Sequence, residues 1–282
     1  MNNIFDIKRF GLVFRKDLME NLKRYTLLFL TMFSIMASVI ISMTWNYCNK
    51  LGESSHYNGA AHNLALLVFI SFALLAGGLL FASTFMTPMN SKLKRLSYLI
   101  SPASNFEKFF TRWLIVTIGY ILAFFVAMWM ADALRVGIIS AYYPDLEIKF
   151  LDLTKLFNPE DVYSAYYMAP KNVFTFLVFL YFLLQSLFLL GATFWEKSSF
   201  VKTFVAISVI IFVYIMLCRW AILLSYEEGL DGFGRVLASF FHDNGNIVLT
   251  SRQLAPFLSV FTLTNWVLAF FRFRESEIIK RF

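Results

Sequence analysis

The side chains in this chain that could do chemistry are few and scattered. His56, His62 and His242 could ligate zinc or carry protons, but the first two stand six apart with no third ligand beside them, and a zinc site takes three or four. Cys48 and Cys218 are isolated, giving no metal pattern and no disulfide framework; they read as small apolar residues near the ends of apolar runs. The acid pairs Glu160–Asp161 and Glu227–Glu228 have the residue types of general acid–base catalysis. They lie in polar stretches with Pro or Gly nearby and read as solvated loop acids. The chain contains no G-x-x-x-x-G-K-[ST], no H-E-x-x-H and no G-x-S-x-G. Neither a catalytic set nor a cofactor or metal site is expected in the chain itself.

Two other groups stand out. Gln185 and Asn265 are amides inside long apolar runs, where a polar side chain either ties two helices together or contacts a substrate. The second group is a basic segment, 87–112, reading TPMNSKLKRLSYLISPASNFEKFFTR. Pro88 ends the preceding run. Ser91 to Ile100 reads as a short helix, with Leu93, Leu96, Leu99 and Ile100 on one side and Lys92, Lys94 and Arg95 elsewhere. Ser101-Pro102-Ala103-Ser104 breaks it. Ser104 and Glu107, three apart, predict a capping box that starts the next helix. Lys94, Arg95, Ser101, Pro102, Ser104, Glu107 and Lys108 are the candidate contact residues of this segment.

The elements that position these groups follow from composition. The chain has 282 residues, of which 15% are charged and 34 are Phe; ordinary soluble domains carry about 25% charged residues. So apolar a chain points to a membrane solvent. Its net charge of +7 sits beside apolar runs rather than on a polar face, which excludes a nucleic-acid binder. Crossing a hydrocarbon core of about 30 Å takes roughly 20 apolar residues. Six runs qualify: Tyr25–Trp45, Leu64–Met86, Trp113–Ala133, Val173–Phe194, Thr203–Leu224 and Arg252–Phe271. The first is too long for a signal-peptide core and is expected to be retained. Pro256 falls in the opening turns of the last, where proline is tolerated.

Charge placement orients the runs. Segments 1–24, 87–112, 195–202 and 272–282 hold 17 Lys and Arg, whereas the outer loops 46–63, 134–172 and 225–251 hold 6. Positive residues stay on the cytoplasmic side, so both termini are expected there. The predicted fold is all-α: a polytopic membrane protein with six transmembrane helices in one domain, 25–282. A separate amphipathic interfacial helix is expected over 1–24, with Ile7, Phe10, Phe14, Leu18 and Leu22 on one side and Lys8, Arg15, Asp17, Glu20 and Lys23 on the other. Asp132 and Arg135 are expected to pair one turn apart at the outer end of the third run. Ala73, Ala76, Gly77 and Gly78 form a small face for close helix packing, within the chain or between two copies.

This layout resembles the permease subunit of ABC-2 type (type V exporter-like) transporters. The likeness rests on the amphipathic N-terminal helix, six spans with both ends inside, and the run LKRLSYLISPASNFEKFFTRWL from Leu93 to Leu114. It lacks the polar motif that some members carry near the last two spans. The resemblance implies that segment 87–112 is a coupling segment docking on ABC ATPase subunits, which bind ATP and Mg in the partner rather than in this chain. It implies a second permease subunit, in a homo- or heterodimer, and export or extraction of an apolar or amphipathic substrate from the inner (plasma) membrane. Membrane lipids complete the expected partners. The other reading is a non-transporting polytopic scaffold or sensor-associated protein, working through its tyrosine-rich 134–172 loop.

Overall fold

The computed structural model describes residues 5–53, 59–87, 102–144, 146, 148–151, 173–195, 197–224 and 251–279, and all regular structure among them is helical. The helices are α1 (Ile7–Glu53), α2 (Gly59–Ala82), α3 (Asn105–Leu114), α4 (Tyr120–Tyr142), α5 (Val173–Phe194), α6 (Ser199–Leu224) and α7 (Ser251–Ile279). A π-turn, Ile115–Gly119, joins α3 to α4 without a break in the helix. Five helical stretches are long and apolar enough to cross a membrane, and the described part of α5, Val178–Phe194, is a shorter apolar helix. The protein is therefore a largely α-helical, polytopic chain of membrane type.

Most helices outrun the apolar stretches that announce them. A helix satisfies its backbone internally and need not end where the hydrocarbon ends. Thus α1 is one helix of 47 residues, roughly 70 Å long at about 1.5 Å per residue. The stretch expected as a separate helix over 1–24 is its first half. The third run likewise extends to Asn105–Tyr142, while α5 coincides with the expected Val173–Phe194.

Contacts along the helices fix their directions. Tyr25 lies 6.1 Å from Phe81 and Tyr47 stacks 4.4 Å from His62, so α1 and α2 are antiparallel. Arg9 meets Glu107 and Trp45 lies 5.1 Å from Tyr142, so α3 and α4 run parallel to α1. Phe188 packs 5.3 Å from Phe200, and Gly191 faces Thr203, so the start of α6 packs against the last turns of α5. Asn265 bonds Ser186 while Arg272 sits over the Phe194 ring, so α7 parallels α5. Trp113 meets Trp266 and Phe106 meets Phe270, so α7 opposes α3. Phe106 also touches Phe5; the described parts of the two chain ends converge on this one residue.

Two apolar clusters hold the bundle. One joins Phe85, Phe109, Phe188 and Phe273 from α2, α3, α5 and α7 and the turn after α2. The other joins Met36, Ile40, Leu66, Ile70 and Phe124 from α1, α2 and α4. The small face of α2 is used inside the chain: a Cβ on Gly77 would overlap the Tyr120 hydroxyl, and one on Gly78 would lie 2.7 Å from the Tyr181 ring. At the other end of α4, Asp132 and Arg135 pair at 2.7 Å as expected. They also hold segment 148–151, since Leu151 donates its N–H to Asp132 and Arg135 donates to the Lys149 carbonyl. By contrast α6 is peripheral: every residue from Ser208 to Leu217 is exposed, as lipid-facing helices are in a bilayer solvent.

Gly78→Ala should lower the thermal midpoint of the detergent-solubilised protein, because the Tyr181 ring must move. Gly137 has nothing within 4 Å of an added Cβ. Gly137→Ala should therefore leave the midpoint unchanged or raise it, by up to the about 1 kcal/mol that alanine gains over glycine in a helix.

Candidate functional site

Helix α3 begins at the capping box its sequence announces. The Glu107 N–H donates to Ser104 Oγ at 3.2 Å, and the Ser104 N–H donates back to Glu107 Oε2 at 3.0 Å. Ser104 has extended backbone angles, φ −67° and ψ 155°, suiting an N-cap. The same Glu107 carboxylate takes a two-pronged hold from Arg9, Nε to Oε2 at 2.7 Å and Nη2 to Oε1 at 2.8 Å. The Asp6 N–H adds a further bond at 2.8 Å. Glu107 is 0% exposed.

Burial by itself would push such a carboxyl upward. The Arg9 guanidinium and the two backbone N–H groups outweigh it and hold Glu107 at about 2. Glu107 precedes the apolar stretch beginning at Trp113, and at that value it stays ionised at any physiological pH.

A second tie lies on the same two helices. Arg112 Nε is 3.4 Å from Asp17 Oδ1, and Arg112 Nη1 donates to the Tyr25 hydroxyl at 3.0 Å. Tyr25 in turn donates to Asp17 Oδ2 at 3.3 Å. Aromatic rings fill the seam: Phe5 on Phe106 at 6.2 Å and Phe10 on Phe110 at 5.6 Å. On the opposite side α3 packs on α7 through Phe109–Phe270 at 5.4 Å. So α3, the last part of the basic segment, is gripped between the first and last helices.

The buried face of α1 differs from the apolar stripe read in its sequence. Phe10, Phe14 and Leu18 are half-buried, but Ile7 and Leu22 are exposed. Asp17, expected on the polar side, is only 8% exposed, because Arg112 and Tyr25 supply its partners. Among the candidate contact residues, Lys94, Arg95 and Ser101 lie outside the described residues. Pro102 is exposed and Ser104 half-buried. Glu107 and Lys108 are both buried, and Glu107 ties α3 to α1 rather than facing outward.

Above the clamp, Gln185 donates from Nε2 to Thr117 Oγ1 at 2.9 Å, tying α5 to the π-turn. Asn265 donates from Nδ2 to Ser186 Oγ at 3.0 Å, tying α7 to α5. Both amides are buried interhelical ties. The sequence points to neither the π-turn nor Arg9 nor Arg112, and Asp17 is expected on the polar side of the first helix without a partner. The turn does carry a local signal: Ile115, Val116, Thr117 and Ile118 are β-branched in succession before Gly119, a crowding that weakens an ideal α-helix. The ion pairs carry none, since their partners lie about 100 positions apart. Among the described residues no three or more His, Cys, Asp or Glu gather into a group that could hold a metal.

Substitutions at Glu107 separate its two roles. Glu107→Gln keeps an acceptor for the cap but loses the charge opposite Arg9; Glu107→Ala loses both, and a lost helix cap alone costs about 1 kcal/mol. Thermal unfolding in detergent should rank wild type above Gln and Gln above Ala. Equal midpoints for Gln and Ala would show that the box adds nothing beyond the ion pair.

Compared with known proteins, the chain matches no family model, no curated protein and no solved structure.

Proposed function

We propose that this chain is the membrane-spanning permease subunit of an ATP-driven, ABC-2-like exporter. In this reading it is integral to the inner (plasma) membrane with both termini cytoplasmic. A second permease subunit, identical or related, pairs with it. Separate ATPase subunits bind ATP and Mg and dock on segment 87–112.

One observation carries the reading. Helix α3, which forms the last part of the basic segment, is fastened to α1 by Glu107–Arg9 and Arg112–Asp17 and packed on α7 by aromatic rings. A force applied to the segment would pass into α3 and from there to the first and last helices together. Lys94, Arg95, Ser101 and Pro102 are the residues left to touch the ATPase, with Ser104 at the hinge and Glu107 holding α3. Gln185 and Asn265 donate to Thr117 and Ser186 as interhelical ties, and Gln185 Oε1 is left buried without a partner. An apolar or amphipathic substrate, moved by rocking helices, is the class that the resemblance implies.

The chain purified in mild detergent from cells that naturally make it should bring an ATPase subunit with it. Replacing Lys94 and Arg95 together by Glu should abolish the association, or the stimulation of ATP hydrolysis, while the protein still inserts and folds. A complex without any ATPase, or one indifferent to the double substitution, would overturn the reading.

A further inference from the structure

Four residues of α1, Asp17, Asn21, Arg24 and Tyr25, recur at i, i+4, i+7 and i+8 and so share one face of the helix. Arg112 of α3 packs on that face through Asp17 and Tyr25. It is 4% exposed, yet its partners do not satisfy it. Its Nη1 reaches Tyr25, its Nε stands 3.4 Å from the Asp17 carboxylate, and its buried Nη2 has no hydrogen-bond acceptor. Asp17 is already shared, accepting from Tyr25 and, at 3.2 Å, from Asn21 Nδ2.

A second guanidinium adds to the imbalance. Arg24 is half-buried on the same face, and burial, then the nearby Arg112 charge, push its pKa below the ordinary arginine value. The other acid close by, Glu20, is exposed and pairs with Lys16 at 3.7 Å. Two arginines therefore face one carboxylate, and buried charge left unmatched is strongly unfavourable. A single negative charge would balance the group. Arginine forks match phosphate oxygens in geometry as well as charge.

Position selects the source of that phosphate. Tyr25 opens the first apolar run and Trp113 follows Arg112 into the third; aromatic residues at such ends sit at headgroup depth. Next along α1, Leu27 and Leu28 are exposed, giving acyl chains a surface directly beyond Arg24. We infer that Arg24 and Arg112 form a binding site for the phosphodiester of an anionic glycerophospholipid, at the level where α1 passes from its polar half to its apolar half. Arg24 forms its accessible rim and Arg112 its buried floor, with Asp17 and Tyr25 fixing the floor. The site does not depend on whether the chain transports anything.

The test uses the full-length protein in an uncharged detergent. Phosphatidylglycerol, phosphatidylcholine and inorganic phosphate are each titrated, with bound lipid followed by native mass spectrometry and thermal midpoint followed in parallel. Phosphatidylglycerol should bind saturably at one site and raise the midpoint; phosphatidylcholine and inorganic phosphate at equal concentration should do neither. Arg24→Gln should fold with a midpoint at or above wild type in the absence of lipid, because an unmatched charge is removed, and bind phosphatidylglycerol at least tenfold more weakly. The exposed neighbour substitution Lys23→Gln should bind it normally. Arg112→Gln should also lose the lipid; should it fail to fold, Arg24→Gln decides. Equal phosphatidylglycerol affinity in wild type and Arg24→Gln would overturn the site. Equal stabilisation by inorganic phosphate would overturn its assignment to lipid.

Discussion

A carboxylate removed from solvent has to be matched by its neighbours, and Glu107 is matched from three directions. Ser104 takes it as the closing half of a helix cap, Arg9 as an ion-pair partner, and the Asp6 N–H as an acceptor. One side chain thus fixes where α3 starts, how the beginning of α1 lies against it, and which way both helices run. Loss of this group would leave a guanidinium and two backbone donors without their acceptor, a larger penalty than loss of one ordinary hydrogen bond. The direction of the bundle follows from it. With α1 parallel to α3 and α4 from Arg9–Glu107 to Trp45–Tyr142, α2 runs back beside them, as its contacts at Tyr25–Phe81 and Tyr47–His62 record.

What could be read in advance was what the chain writes locally. The apolar runs are set by bilayer thickness and appear as helices. The Ser104–Glu107 box and the Asp132–Arg135 pair have both partners within one turn, and both form. Gln185 and Asn265 were legible as polar residues in apolar surroundings, though not their partners, because Thr117 and Ser186 are ordinary residues until the helices meet. The partner of Asp17 was hidden for the same reason. On a helical wheel Asp17 lies about 20° from Phe10, seven positions before it, and about 180° from Lys8, so its inward place is written locally; Arg112, far along the chain, is not. The continuity of α1 was obscured differently. A shift from amphipathic to uniformly apolar composition at Tyr25 marks a change of surroundings, and surroundings do not by themselves interrupt backbone hydrogen bonds.

The two ties on α1 have different characters. Arg9–Glu107 is closed: the carboxylate is fully bonded and held far from its titration range. Arg112–Asp17–Tyr25 is open: the acid is shared, one guanidinium nitrogen has no acceptor, and a second arginine stands alongside. The closed tie suits a fixed mechanical joint. The open one suits a place completed from outside the chain, at the depth where α1 passes from its polar half to its apolar half.

The π-turn reconciles these ties with the rest of the third helix. On α4 the buried positions Tyr120, Phe124, Ala127, Ala131 and Arg135 follow one stripe, and Phe124 packs in the cluster that includes Met36 and Ile40 of α1. In an unbroken α-helix each residue advances by about 100°. Arg112, twelve positions before Phe124, would then point about 120° away from it, and Trp113 would take the place facing α1. One extra residue in the π-turn subtracts about 100° and brings Arg112 to within about 20° of the Phe124 direction. That is where Asp17 and Tyr25 stand. The same turn carries the Thr117 hydroxyl that Gln185 reaches from α5. The run of β-branched residues ending at Gly119 therefore sets the phase between the lower and upper halves of the helix. It lets a basic residue beside the Arg9–Glu107 clamp and an aromatic core residue beyond it face the same partner.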